Sequence, residues 1–129
     1  MIVAVGIDIA EVSRTKQAVE RWGHRFLNKV FTPSEISFCR NRANCYQAYA
    51  ARFAAKEAVS KCLGTGFRRG VSPKMIEIVD NEQSRPAIRL YGRAEEIGAG
   101  HVFHLSLSHE KDFVVAVAVM ERSDRQTNN

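Results

Sequence analysis

Phe53, Glu57 and Lys61 stand four residues apart in the run 52–61. Wound at 3.6 residues per turn they form one stripe, a carboxylate and an ammonium one turn apart beside an aromatic ring. On an exposed helix such a Glu–Lys pair is an ordinary stabiliser worth about 0.2–0.5 kcal/mol. Beside a packing face, the same two groups could both reach one cleft. A second acid, Asp8, closes an apolar N-terminal run just after Gly6, and Glu11 follows it. Asp8 reads either as a turn or cap residue or as a ligand, with Gly6 leaving room for something to approach. His109 follows Ser108 and precedes Glu110 and Asp112. It reads as a turn residue, or as a phosphate contact or general base.

The elements that must position these residues follow from periodicity. Residues 2–9 alternate as a strand, with Val3, Val5, Ile7 and Ile9 on one face and Ala4, Gly6 and Asp8 on the other. Residues 13–22 form a first helix, with Ser13 as N-cap and Gly23 as its end. Arg14, Arg21 and Arg25 give it a basic side. Phe26, Val30 and Phe31 are core anchors. Thr32, Pro33 and Glu35 spell a capping box with proline at the first helical position, opening a short helix. The long helix follows, its face of Ala51, Ala54, Ala55, Ala58 and Cys62 suited to lying close against a sheet. It ends at Gly64 and Gly66. The glycine-rich basic loop 64–70 serves equally as a linker or as a donor of backbone N–H groups to a phosphate.

Beyond the loop, residues 75–79 and 87–90 read as strands joined by the turn 80–85, with Pro86 at a strand start. A brief helix spans 93–97. Residues 102–108 and 113–119 form a hairpin whose last strand, apolar on both faces, is central. The polar stretch 121–129 is expected to be a flexible tail. Strand, helices and then strands make an α+β domain over residues 1–120.

The bounds set by composition agree with one domain. A chain of 129 residues supports a real core and no second one. At 45% hydrophobic and 26% charged residues it is an ordinary soluble composition. No apolar run reaches membrane-span length, and no secretory signal stands at the N-terminus. Cys39, Cys45 and Cys62 make no CxxC, which points to reduced thiols in the cytoplasm. The net charge of +5 calls for an anionic partner: nucleic acid, a phosphate-rich small molecule or an acidic protein surface. With 9% aromatic residues and no zinc-finger or RNP-like motif, little favours nucleic acid.

Three groups of residues together resemble one family: Gly6-Ile7-Asp8 with Glu11 and Arg14; Phe53-x-x-Lys56-Glu57-Ala58 with Lys61; and Ser106-Leu107-Ser108-His109. They are similar to the short single-domain 4'-phosphopantetheinyl transferases, of the holo-acyl-carrier-protein synthase type. The likeness runs from Ile2 to Val119 and includes the Thr-Pro helix start and the Gly-Thr-Gly after the long helix. One departure is visible: the turn before Pro86, where the family usually carries a glycine, here reads Ser84-Arg85.

The resemblance implies a small, mostly antiparallel sheet packed on a long helix, in a homotrimer with sites between protomers. It implies transfer of 4'-phosphopantetheine from coenzyme A to a serine of apo acyl carrier protein, with Mg2+, in fatty acid biosynthesis. Asp8 and Glu57 would be the metal ligands, and Lys61 and His109 the further catalytic residues. Phe53, Lys61, Gly64, Arg85, Pro86, Ser108 and His109 would contact coenzyme A, and Arg14 and Arg21 would dock the carrier protein. The base for the serine hydroxyl stays open between a metal-bound water, Glu57 and a carboxylate-linked water. Two rivals remain on residues alone: a basic nucleic-acid-binding module without catalysis, and another Mg2+-dependent phosphate enzyme.

Overall fold

The strand at the N-terminus and the long helix find each other because both present small side chains. In the computed structural model, which describes residues 1–81 and 83–123, β1 (Ile2–Glu11) lies against α4 (Cys45–Leu63). Between them come α1 (Val12–Trp22), α2 (His24–Val30) and α3 (Pro33–Arg40). A 3-10 turn at Pro73–Met75 leads into β2 (Ile76–Asp80) and β3 (Pro86–Leu90), then α5 (Gly92–Gly98), β4 (His101–His109) and β5 (Phe113–Arg122). The strands form two antiparallel sheets, β1-β5-β4 and β2-β3. β5 is central, as its two apolar faces require.

α4 is the element on which both sheets converge. Asn44 opens it by accepting a hydrogen bond from the Gln47 N–H at 3.2 Å. Gly64 closes it in the left-handed region at φ 79°, its N–H donating to the Lys61 and Ser60 carbonyls. Ala54, Ala55, Ala58, Val59 and Cys62 are buried against Val114, Ala116, Ala118 and Met120 of β5. The three cysteines are free thiols, and the Cys62 thiol donates to the Ala118 carbonyl at 3.4 Å.

Several sequence expectations need correcting. α1 starts at Val12 after Glu11, with no side-chain cap, so Ser13 is not its N-cap. The Val12 N–H instead reaches the Asp112 carbonyl at 2.9 Å, tying the helix start to the β4–β5 turn. α2 was not foreseen; Gly23, at φ 54°, separates it from α1. The room at Gly6 is filled by α4 itself. Strand β5 runs on through Arg122, so Glu121 and Arg122 belong to the sheet and not to a tail. Ser123 follows, its N–H donating to the Gly100 carbonyl at 2.9 Å, and residues 124–129 of that expected tail lie outside the described residues.

The strand face that reads as apolar is the outer one. Val5, Ile7 and Ile9 are 61%, 58% and 62% exposed, while the small-residue face meets α4. Their register partners Val119, Val117 and Val115 on β5 share that outer face.

A polar network joins α3, α4 and β2. The predicted capping box forms: the Thr32 N–H donates to Glu35 Oε1 at 2.9 Å, and the Glu35 N–H to Thr32 Oγ1 at 3.3 Å. Glu35 also accepts from the Ile78 N–H at 2.8 Å and pairs with Lys56 Nζ at 2.7 Å, both side chains wholly buried. Glu77 accepts from the hydroxyls of Thr32, Ser34 and Tyr91 at 2.5, 2.7 and 2.8 Å. A helix cap therefore doubles as the counter-ion of a lysine in another helix.

Candidate active site

Asp8 and Glu57 meet in one cleft because their elements pack closely. The cleft, of about 390 Å3, is walled by the end of β1, the start of α1 and the Phe53–Glu57 stripe of α4. Lys61 Nζ lies 3.3 Å from Asp8 Oδ1 and donates to the Ile7 carbonyl at 2.8 Å. Its side chain is half exposed, whereas Asp8 is largely enclosed. Burial, and then the charge of Asp8, push the Glu57 carboxyl above its usual range; Lys61 opposes this without cancelling it. Phe53 lines the cleft and faces Phe67, with ring centroids 6.5 Å apart.

The Glu57 carboxyl, pushed up by burial and then by the charge of Asp8, is one that a nearby cation would relieve. Hard oxygen donors suit Mg2+, which keeps several positions for water and substrate phosphate. Among the described residues no group of three or more His, Cys, Asp or Glu side chains could hold a metal ion. Asp8 and Glu57 are two oxygen donors on one cleft, a set that would leave the other positions of such an ion to further oxygens.

His109 is elsewhere. It shares an inward-facing register position with Val114, on the side of the sheet where Asp8 pairs with Ala116. Two strand spacings of about 4.8 Å separate the two in that sheet. His109 opens onto a second cleft, of about 570 Å3, with Ser84 and Pro86, on the Ala48–Ala51–Arg52 side of α4. Residues 53 and 57 lie on the opposite flank of that helix. The chain brings Asp8, Glu57, Lys61 and Phe53 together and keeps His109 and Pro86 apart from them.

The remaining expected residues sort by position. Arg85 is exposed beside the second cleft, its N–H donating to Asn81 Oδ1 at 3.0 Å. Ser108 is exposed on the outer sheet face, opposite to His109. Gly64 acts as the α4 cap. Arg14 borders the first cleft, 3.4 Å from Glu11, and Arg21 stacks on Trp22 at 4.9 Å; both are exposed on α1.

Sequence reading missed Arg42 and Arg52, which supply the positive charge of the second cleft. Their guanidinium carbons lie 4.6 and 3.9 Å from the Phe38 ring centroid. Arg52 is buried, and among the described residues its Nε has no hydrogen-bond partner. An arginine amid helix formers carries no sequence signal for this; only the fold reveals it.

Comparison with known proteins gives these two clefts a context. Residues 4–118 match the model of the 4'-phosphopantetheinyl transferase superfamily. A holo-[acyl-carrier-protein] synthase of Halothermothrix orenii is 46% identical over 125 residues, covering 94% of this chain and 98% of the relative. Among solved structures, the holo-[acyl-carrier-protein] synthase of Neisseria meningitidis aligns with TM-score 0.84 at 33% identity, covering 95% of this chain and 100% of its own. That of Bacillus anthracis, in complex with CoA (3',5'-ADP), aligns with TM-score 0.80 at 34% identity, covering 95% and 99%.

The α+β fold is thus that of a known class of transferase. The chain belongs to the 4'-phosphopantetheinyl transferase superfamily.

Proposed function

We propose that this chain is a holo-[acyl-carrier-protein] synthase: it transfers 4'-phosphopantetheine from coenzyme A to a serine of apo acyl carrier protein. The observation that carries this reading is the convergence of Asp8 and Glu57 on one cleft, with Lys61 paired to Asp8, in a chain of this superfamily. The serine oxygen attacks the phosphorus joined to pantetheine, and the bond to the adenosine-side phosphate breaks. Adenosine 3',5'-bisphosphate leaves, and the serine proton passes to a base, either Glu57 or a water.

Each residue has a physical task in this scheme. Asp8 and Glu57 would hold Mg2+, which when bound supplies positive charge to the diphosphate oxygens. Lys61, paired with Asp8 beside the cleft, swings onto the diphosphate and offsets charge on the leaving group. Arg42, Arg52 and His109 make a cationic pocket suited to the 3'-phosphate, with Ser84 and Pro86 as its wall. Phe53 and Gly64 flank the path of the coenzyme. Arg14 and Arg21 present positive charge to an acidic carrier protein, which speeds encounter.

The division of the site over two clefts supports a homotrimer in which Asp8 and Glu57 of one protomer face His109 of the next. The exposed apolar face of Val5, Ile7 and Ile9 supports assembly as well, because such a patch asks for cover. Free cysteines favour a cytoplasmic setting; among the described residues no helix is long and apolar enough to cross a membrane. A nucleic-acid-binding module would leave the Asp8–Glu57–Lys61 cluster without a use. Incubation with apo acyl carrier protein, coenzyme A and Mg2+ tests the reading. The carrier should gain the mass of one phosphopantetheine, and a chelator should stop the gain; an unchanged carrier mass contradicts it.

A further inference from the structure

Lys56 stands beside Glu57 in the sequence yet is turned away from the cleft and has no exposed surface. Its ammonium donates to the carbonyls of Pro73 at 2.9 Å and Ile76 at 2.7 Å and pairs with Glu35 at 2.7 Å. A lysine ammonium has three N–H donors and no acceptor, so all three are used. Burial pushes its pKa down and Glu35 opposes that; a set of three acceptors fits the charged form. A group so enclosed and saturated touches neither substrate nor metal.

What it does is hold α4. Successive helix residues point about 100° apart. Ala58, on one side of Glu57, is pressed against Gly6 of β1. Lys56, on the other side, is fastened to α3 through Glu35 and to the chain entering β2 through the two carbonyls. Glu57 lies between these two fixings. We propose that Lys56, through Glu35, is a positioning residue that fixes the roll of α4 and so aims Glu57 at Asp8. This rests on the reading of Glu57 as a metal ligand.

The test is direct metal binding: Mg2+ titrated calorimetrically into the coenzyme A complex. Lys56→Met keeps the length of the side chain and removes the charge. Mg2+ affinity should fall about 10–100-fold, the usual loss when a group supporting a metal ligand is removed. Glu35→Gln should weaken binding in the same direction, and decides the matter if Lys56→Met does not fold. Val30→Ala, which loosens the core with the ion pair intact, should lower the unfolding temperature and leave Mg2+ affinity as in wild type. Wild-type affinity in folded Lys56→Met overturns the inference, as it does in Glu35→Gln when that variant decides. Equal weakening in Val30→Ala also overturns it, since general loosening would then explain the loss. If Glu57→Gln itself binds Mg2+ like wild type, the ligand reading fails and the inference falls with it.

Discussion

A Cβ placed on Gly6 would lie 2.0 Å from the carbonyl oxygen of Ala58. The backbones of β1 and α4 meet there, and that contact brings Asp8, two residues on, beside the Glu57–Lys61 stripe. Gly6→Ala must push the helix away, since the obstacle is backbone. We expect it to lower stability by roughly 1–3 kcal/mol, the cost of overpacking a core, and to lower transfer activity by more than the folded fraction explains. Denaturant midpoints and rates at full folding check this. A variant with wild-type midpoint and rate would mean that the approach is slack.

How much of this was legible beforehand follows from where the signals are local. The capping box at Thr32–Glu35, the Gly64 stop and the central apolar β5 each rest on residues close in sequence, and all three stand. The two faces of β1 were readable as a pattern, but which one turned inward was not. Alternation shows that faces differ, and a small-residue face becomes the buried one only when a helix as closely packed as α4 arrives. The Lys56–Glu35 pair joins residues far apart in the chain, and Arg52 reaches its cleft through tertiary packing. α2 is a short segment with neither an acidic first turn nor a side-chain cap. The Asp8–Glu57–Lys61 grouping follows from the family resemblance; the residues alone leave Asp8 open between a cap and a ligand. The resemblance likewise implies that His109 stands apart from that grouping, and the sheet order gives the physical reason.

Glu57 is a stability cost that the metal would relieve. Its carboxyl is raised, by burial first and then by Asp8. A raised carboxyl favours the folded state when protonated; that contribution is present at acid pH and lost as pH rises through the folded value. Glu57→Gln without metal should therefore be at least as stable as wild type at about pH 8, with the difference shrinking towards about pH 4. Transfer should collapse at both. Denaturant midpoints at the two pH values read the first effect; a midpoint for Glu57→Gln below wild type at about pH 8 contradicts it.

Ser84 sits in the left-handed region at φ 59°, in the turn before Pro86. A side chain there carries roughly 1–2 kcal/mol of strain, part of which glycine recovers after its own unfolded-state entropy is counted. Ser84→Gly should raise the denaturant midpoint by about 0.5–1 kcal/mol in stability. Although the turn walls the His109 cleft, glycine keeps its backbone conformation, so the KM for coenzyme A should stay within twofold or so of wild type. A lower midpoint would show that the hydroxyl side chain contributes more than its backbone costs.

The central claim is that the site is completed by two copies of the chain, because one copy keeps Asp8 and His109 on opposite flanks of α4. Asp8→Ala and His109→Ala chains, each inactive alone, can be mixed in equal amounts, unfolded and refolded together. A whole site then needs its Asp8 half from a His109→Ala chain and its His109 half from an Asp8→Ala chain. Random assembly of head-to-tail copies makes about one site in four complete. Phosphopantetheine transfer should return to roughly a quarter of the wild-type rate. No recovery, with mixed oligomers confirmed by mass, would contradict the account.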